Sequence, residues 1–300
     1  MRSLLHNRSE MLRKCRSFFY DRAIVEVDCP LLSSAASVDL HIDLMKTTEG
    51  QFLHSSPEYG MKRLLSLGSG DLFQISHVFR KEEFGRRHNP EFTLVEWYRI
   101  GFSFHEMIEE TAELMRLFLG PLCLEKISYR NAFLNYVGLD PFLCETHELR
   151  SLCKGDFESD DREDLLNYLL ATKVEPHLGK ICLTALYGYP KAQAALAKVV
   201  SLEGIPCAER FEIYCKGIEL CNGYHELCDP KEQRKRFVEA NGQREKLGKT
   251  PLPIDERFLQ ALEKGLPDCC GVAVGFDRLF MLQQNKDSLE EILPFHWNNA

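Results

Sequence analysis

FRKEEFGRRHNPEFTLVEWY, from Phe79 to Tyr98, interleaves cations, carboxylates and aromatic rings around a polar turn. Arg80 and Glu82 occupy alternate positions, which on a strand share one face. A polar turn with Arg86, Arg87, His88 and Asn89 follows, and Phe92, Glu96 and Tyr98 alternate on the return. On such a surface a guanidinium can fork onto phosphate oxygens, a ring can stack on a purine, and carboxylates can hold an amine or a metal. A salt-bridged surface hairpin would read the same way in isolation, so the choice rests on the rest of the chain.

Outward from the hairpin, Phe104–Leu119 shows a helical pattern with Met107, Ile108, Leu114, Met115 and Phe118 on its apolar side. Leu4, Leu5, Met11, Leu12, Cys15, Phe18 and Phe19 recur at three- and four-residue steps and predict an opening amphipathic helix. GDFESDDRED, Gly155 to Asp164, reads as a solvated loop and helix start, with Ser159 or an adjacent Asp as N-cap. Ile181–Tyr187 and Phe211–Leu220 read as strands, the second containing Gly217, and Asp229–Lys246 as a charged helix. In GIELCNGYHEL, Gly217 to Leu227, an Asn222-Gly223 turn would bring Glu219 and Glu226 toward one hard cation.

Three hundred residues, 44% hydrophobic and 27% charged, suit one large domain. No stretch approaches the ~20 apolar residues that cross a bilayer, so a cytoplasmic address is expected and no membrane partner. Twelve cysteines lack a repeated C-x-x-C spacing and are expected as buried, reduced thiols; Cys215, Cys221, Cys228, Cys269 and Cys270 lie closest in sequence. A formal charge of −8, with no basic block, disfavours a nucleic-acid partner such as tRNA.

Three segments together resemble the class II aminoacyl-tRNA synthetases, specifically the lysyl branch. The hairpin resembles motif 2. GVAVGFDRLFML, Gly271 to Leu282, resembles motif 3, a strand passing into a helix with an arginine at the junction. FYDRAIVEVDCPLL, Phe19 to Leu32, resembles motif 1, except that Ala23 stands where the family usually has glycine. The resemblance implies an α+β fold: one catalytic domain over residues 1–300, an antiparallel sheet flanked by helices. A helical elaboration is expected at about 140–179. It also implies ATP and Mg2+ as cofactors and dimerisation through motif 1.

The family's chemistry joins a carboxylate to an amine through an acyl-adenylate, and fixed guanidinium groups with magnesium stabilise the charge developing at the α-phosphorus. The resemblance assigns catalysis to Arg80 and Arg278. Arg80 meets the α-phosphate, Glu82 and Asn89 line the nucleotide site, His88 approaches the terminal phosphate, and Phe92 stacks on adenine. Arg278 covers the other face of the base or the γ-phosphate, and Lys81, Glu219, Leu220 and Gly275 complete the set. Glu219 and Glu226 are the metal candidates. HSSPEYGMKRLL, His54 to Leu65, resembles the segment that receives the backbone amine, with Glu58 as acceptor after Ser56 and Pro57. Glu96 and Tyr98 would hold the distal ammonium, with Glu226 and Ala273 beside them.

Motif 1 begins within about the first twenty residues, so no anticodon-binding barrel is expected. The chain is similar over essentially its whole length to the short paralogues that modify translation elongation factor P with lysine or (R)-β-lysine. Ala273 replaces a glycine general in lysyl-tRNA synthetases, and one methyl is worth ~1–3 kcal/mol of selectivity. Two other readings are charging of tRNA or another small acceptor, and a noncatalytic synthetase-like regulator.

Overall fold

The computed structural model describes residues 2–153 and 155–300. The chain enters through α1 (Arg2–Tyr20), which buries Met11, Cys15, Phe18 and Phe19 at helical spacing. The short strands β1 (Val25–Glu26), β2 (Leu32–Ser33) and β3 (Phe52–Leu53) lead to α2 (Glu58–Leu65). The hairpin follows as β4 (Leu72–Phe79) and β5 (Glu91–Ile100). Next comes α3 (Phe104–Leu119), opened by a Ser103–Glu106 capping box that satisfies two of its free N–H groups. β6 (Leu124–Ser128), α4 (Tyr129–Tyr136), α5 (Thr146–Leu152) and α6 (Arg162–Leu169) continue the chain, and Asp161 caps α6 while Ser159 donates to Asp164. After β7 (Leu183–Pro190), β8 (Val199–Leu202), β9 (Ile205–Cys215) and β10 (Ile218–His225) come α7 (Pro230–Lys246) and α8 (Glu256–Gly265). The last elements are β11 (Cys269–Gly275) and α9 (Phe276–Gln283).

The main sheet runs β1, β4, β5, β11, β10, β9, β7, β6, with β8 beside β9. Its interior pairs are antiparallel as expected, whereas β1–β4 and β6–β7 are parallel, so the sheet is mixed at both ends. One face packs Val95, Trp97, Val272 and Val274 against α1, α3 and α9. A second cluster joins Leu72 and Tyr98 to α2, α7 and α8. A third buries α4, α5 and α6 on β7 and β9; α5 and α6 fall within 140–179, and α4 precedes it.

Two strand expectations need correction. The first strand starts and ends later, at Leu183–Pro190. The second is two strands of a hairpin, because Lys216 (φ 54°) and Gly217 (φ 69°) form a two-residue turn with both central residues left-handed. Asn222-Gly223, in contrast, is no turn but mid-strand β10. Gly223 is needed there because a Cβ would stand 2.4 Å from the Phe211 ring. Glu219 therefore lies near the start of β10 and Glu226 just past its end, rather than across a turn. The thiol expectation also fails at one pair. Cys123 and Cys182, each one residue before the parallel partners Leu124 and Leu183, form a disulfide, while the five cysteines singled out above are free.

Candidate active site

Strand pairing alone assembles most of the site. Glu96 of β5 lies opposite Ala273 of β11, Ala273 opposite Asn222 of β10, and Asn222 opposite Glu212 of β9. One step along, Tyr98, Gly271, Tyr224 and Arg210 form a parallel row. Side chains alternate across a sheet, so both rows face away from the Trp97 core, and their β5, β11 and β10 members line one cleft. Gly271 lacks a side chain because a Cβ would meet the Tyr98 ring at 2.3 Å and a Glu226 oxygen at 2.6 Å. Gly275 is under no such pressure in this structure, since its nearest neighbour would be the Leu220 carbonyl at 3.7 Å.

One end of the cleft is acidic. Glu96 accepts from Ser56 Oγ at 2.7 Å and from Tyr98 Oη at 2.8 Å. Lys62 of α2, only 1% exposed, reaches Glu58 at 2.6 Å and Glu226 at 2.5 Å. Two carboxylates thus share one buried ammonium, while Glu96 is held by Ser56 and Tyr98. Burial, with Glu58 nearby, raises Glu96 to about 7, and burial with Glu58 and Glu96 outweighs Lys62 in raising Glu226 as well. Asn222 Oδ1, buried in the same wall, has no partner.

The other end is cationic. Arg278 donates to the Glu219 carbonyl at 3.0 Å, its carboxylate at 3.2 Å, the Arg87 carbonyl at 3.2 Å and His88 Nε2 at 2.7 Å. Burial and the flanking Arg278, Arg80 and Arg87 lower the His88 pKa, so the ring is neutral and accepts from Arg278. The Arg80 guanidinium carbon lies 5.0 Å from the Phe92 ring centre, and Arg80 Nε is buried without an acceptor. Asn89 donates to the Glu91 carbonyl and accepts from the Trp297 amide.

The cleft brings together Ser56, Glu58, Arg80, His88, Asn89, Phe92, Glu96, Tyr98, Glu219, Leu220, Glu226, Ala273, Gly275 and Arg278. Lys81, Glu82 and Pro57 do not line it. β4 ends at Phe79, and Glu82 turns out at φ 64° to pair with Lys81 at 3.0 Å in solvent. Glu83 takes the inner place and accepts from Arg80 at 3.3 Å. Pro57 caps the start of α2 and lines a neighbouring cavity.

Sequence reasoning missed Lys62, Asn222, Tyr224 and Asp277. Lys62 stands four residues after Glu58 on a helix, a spacing that did signal a pair. Asp277 accepts from the Thr93 amide at 2.7 Å and from Arg8 at 2.6 Å, tying β5 and α1 to the start of α9.

For a metal, the described residues hold no cluster of three His, Cys, Asp or Glu side chains suited to an ion. Magnesium carried on ATP needs only one or two protein carboxylates beside the phosphates. Glu219, next to Arg278, fits that demand, whereas Glu226 is engaged by Lys62.

The family model describing class II tRNA synthetases (D, K and N) matches residues 1–299. The elongation factor P (R)-β-lysine ligase of Pasteurella multocida is 44% identical over 306 residues, covering 98% of this chain and 94% of its own. The ligase of the same name from Haemophilus influenzae is 46% identical over 98% of this chain and 94% of its own. That of Vibrio cholerae is 42% identical over 99% and 96%. With three motifs on one sheet, a cleft cationic at one end and acidic at the other, and a match over nearly every residue, the chain belongs to the class II tRNA synthetase family of the D, K and N type.

Proposed function

We propose that this protein activates (R)-β-lysine as an acyl-adenylate at the expense of ATP and transfers it to a lysine side chain of elongation factor P. The observation that carries the reading is the charge division of one cleft. Glu58, Glu96 and Glu226 line the acidic end with Lys62 as the one ammonium there among the described residues, so carboxyl groups outnumber the cations that could pair them, and a diammonium substrate would draw them into their ionised forms. The buried acceptor Asn222 Oδ1 and the buried donor Arg80 Nε, both unpartnered, stand ready for an ammonium and a phosphate respectively. The relatives' names favour the β isomer and the protein acceptor. Ala273, between Glu96 and Asn222, narrows the wall where the isomers differ.

In the first step the amino-acid carboxylate attacks the α-phosphorus and pyrophosphate leaves. Arg80 and Arg278 stabilise the charge gathering on the phosphoryl oxygens, and Phe92 holds the base. In the second, the acceptor amine attacks the acyl carbon, loses a proton, and AMP leaves. We assign Glu219 as the protein carboxylate for Mg2+, Glu226 to the amino acid, and the enzyme to the cytoplasm as a homodimer.

The test is ATP–pyrophosphate exchange with α-lysine and (R)-β-lysine in parallel, then intact-mass analysis of elongation factor P. A preference for the β isomer with one β-lysyl addition on the factor is expected. Exchange with α-lysine alone and no protein product would replace this reading with tRNA charging.

A further inference from the structure

The acidic end of the cleft has one wall that comes from neither motif 2 nor motif 3. Between β7 and β8 the chain makes a tight turn, Ala194 to Ala197, closed by the Ala197 amide donating to the Ala194 carbonyl at 2.7 Å. Its two central residues, Ala195 and Leu196, line the cleft. Ala195 has φ 46°, at a turn position that normally takes glycine. A non-glycine residue stays in such a conformation only where its surroundings over-determine it.

Those surroundings are explicit. On the inner side the Leu227 amide donates to the Leu196 carbonyl at 2.9 Å, and Ala197 bridges to Glu226, the carboxylate that meets Lys62. On the outer side Arg236 of α7 donates one Nη to both the Ala195 carbonyl at 2.9 Å and the Ala197 carbonyl at 2.8 Å. Its Nε is steered by Glu232 at 3.0 Å, and the side chain is largely buried. Arg236 itself does not line the cleft, so its whole influence passes through the turn.

We propose that Arg236 is a positioning residue for amino-acid selection: by gripping the Ala195 and Ala197 carbonyls from outside, it fixes the wall against which the amino-acid chain must fit. The inference rests on the ligase reading. The wall offers no charge of its own, so it acts through shape. Moving the amino group from one carbon to the next changes where the methylene chain lies, and a fixed wall converts that into discrimination. The nucleotide end contains no part of the turn and is expected to be indifferent to it.

The test is steady-state exchange with Arg236→Met, Arg236→Lys and Ala195→Gly, titrating ATP, α-lysine and (R)-β-lysine separately. For Arg236→Met the expected result is an amino-acid KM raised ~10-fold, with ATP KM within about twofold of the parent and isomer preference moved toward unity. Lysine can still donate to both carbonyls, so Arg236→Lys is expected to recover most of the amino-acid KM. Glycine adopts the required φ without strain, so Ala195→Gly keeps the fold while loosening the turn. It reports on the wall even if Arg236→Met does not fold, with a smaller rise in amino-acid KM expected. Unchanged amino-acid KM in the folded variants, or ATP and amino-acid KM rising together, overturns the assignment. A parent protein that exchanges with neither isomer overturns the ligase reading itself, and the inference with it.

Discussion

Glu96 sits among groups that cannot all be charged at once: Glu58 and Glu226 share its end of the cleft, and among the described residues Lys62 is the one ammonium there. Its folded pKa, about 7, lies above the ~4.3 of an unfolded glutamate. Between those values the folded state holds the proton more tightly, so the group's contribution to stability is full below pH ~4.3 and is lost as pH rises through about 7. A bound diammonium substrate favours the ionised form, so the opposite trend is expected for binding: amino-acid KM falls as pH rises from 6 to 8. Glu96→Gln is expected to flatten the fall in melting temperature between pH ~4.3 and about 7 and to weaken amino-acid binding at pH 8. Thermal melts and exchange assays over the same pH series check both, and a melting profile identical to the parent's would dissociate Glu96 from the pH dependence. The alternation of Phe92, Glu96 and Tyr98 was legible in sequence because a strand's period is fixed. Glu82 was misplaced because the strand stops at Phe79, and nothing in the RKEE run marks that stop.

At the scale of elements, the junction of β11 and α9 sets Arg278, and Asp277 sets the junction. Its carboxylate takes the Thr93 amide with one oxygen and Arg8 with the other, while Arg8 also donates to Thr93 Oγ1 at 2.9 Å. Three elements distant in sequence are thereby locked where the nucleotide end begins. Asp277→Asn removes the charge opposite a largely buried arginine and is expected to cost about 2 kcal/mol, the range for hydrogen bonds to charged groups. Urea unfolding reads that loss; a midpoint unchanged from the parent would show the lock to be dispensable. Arg278 of this junction was legible from the FDR sequence, but the role of Asp277 was not, since its partners lie 184 and 269 positions away. The Asn222-Gly223 misreading has a different cause. That dipeptide favours a turn locally, and only the Phe211 ring crossing beneath it explains a glycine inside a strand.

Over the whole molecule, the apolar surface left uncovered is uneven. Tyr20, Val25, Leu31 and Leu32 are 54, 53, 40 and 46% exposed, and all four belong to the segment that resembles motif 1. Single exposed apolar residues are ordinary, but four within one short stretch of sequence single that segment out as a candidate contact for a partner. β1 pairs only with β4 and ends the sheet, so its outer edge leaves backbone groups open as well. A second copy of the chain is the occupant we infer, and it would also rest against α1, the helix that carries Arg8 to Asp277. Association and site geometry then share one element. Light scattering is expected to return twice the 34.6 kDa chain mass, and Val25→Lys with Leu32→Lys is expected to halve it while lowering exchange activity. A parent protein that scatters as a single chain removes the segment from the interface. A double variant that is monomeric yet fully active would leave the dimer in place but free the active site from it.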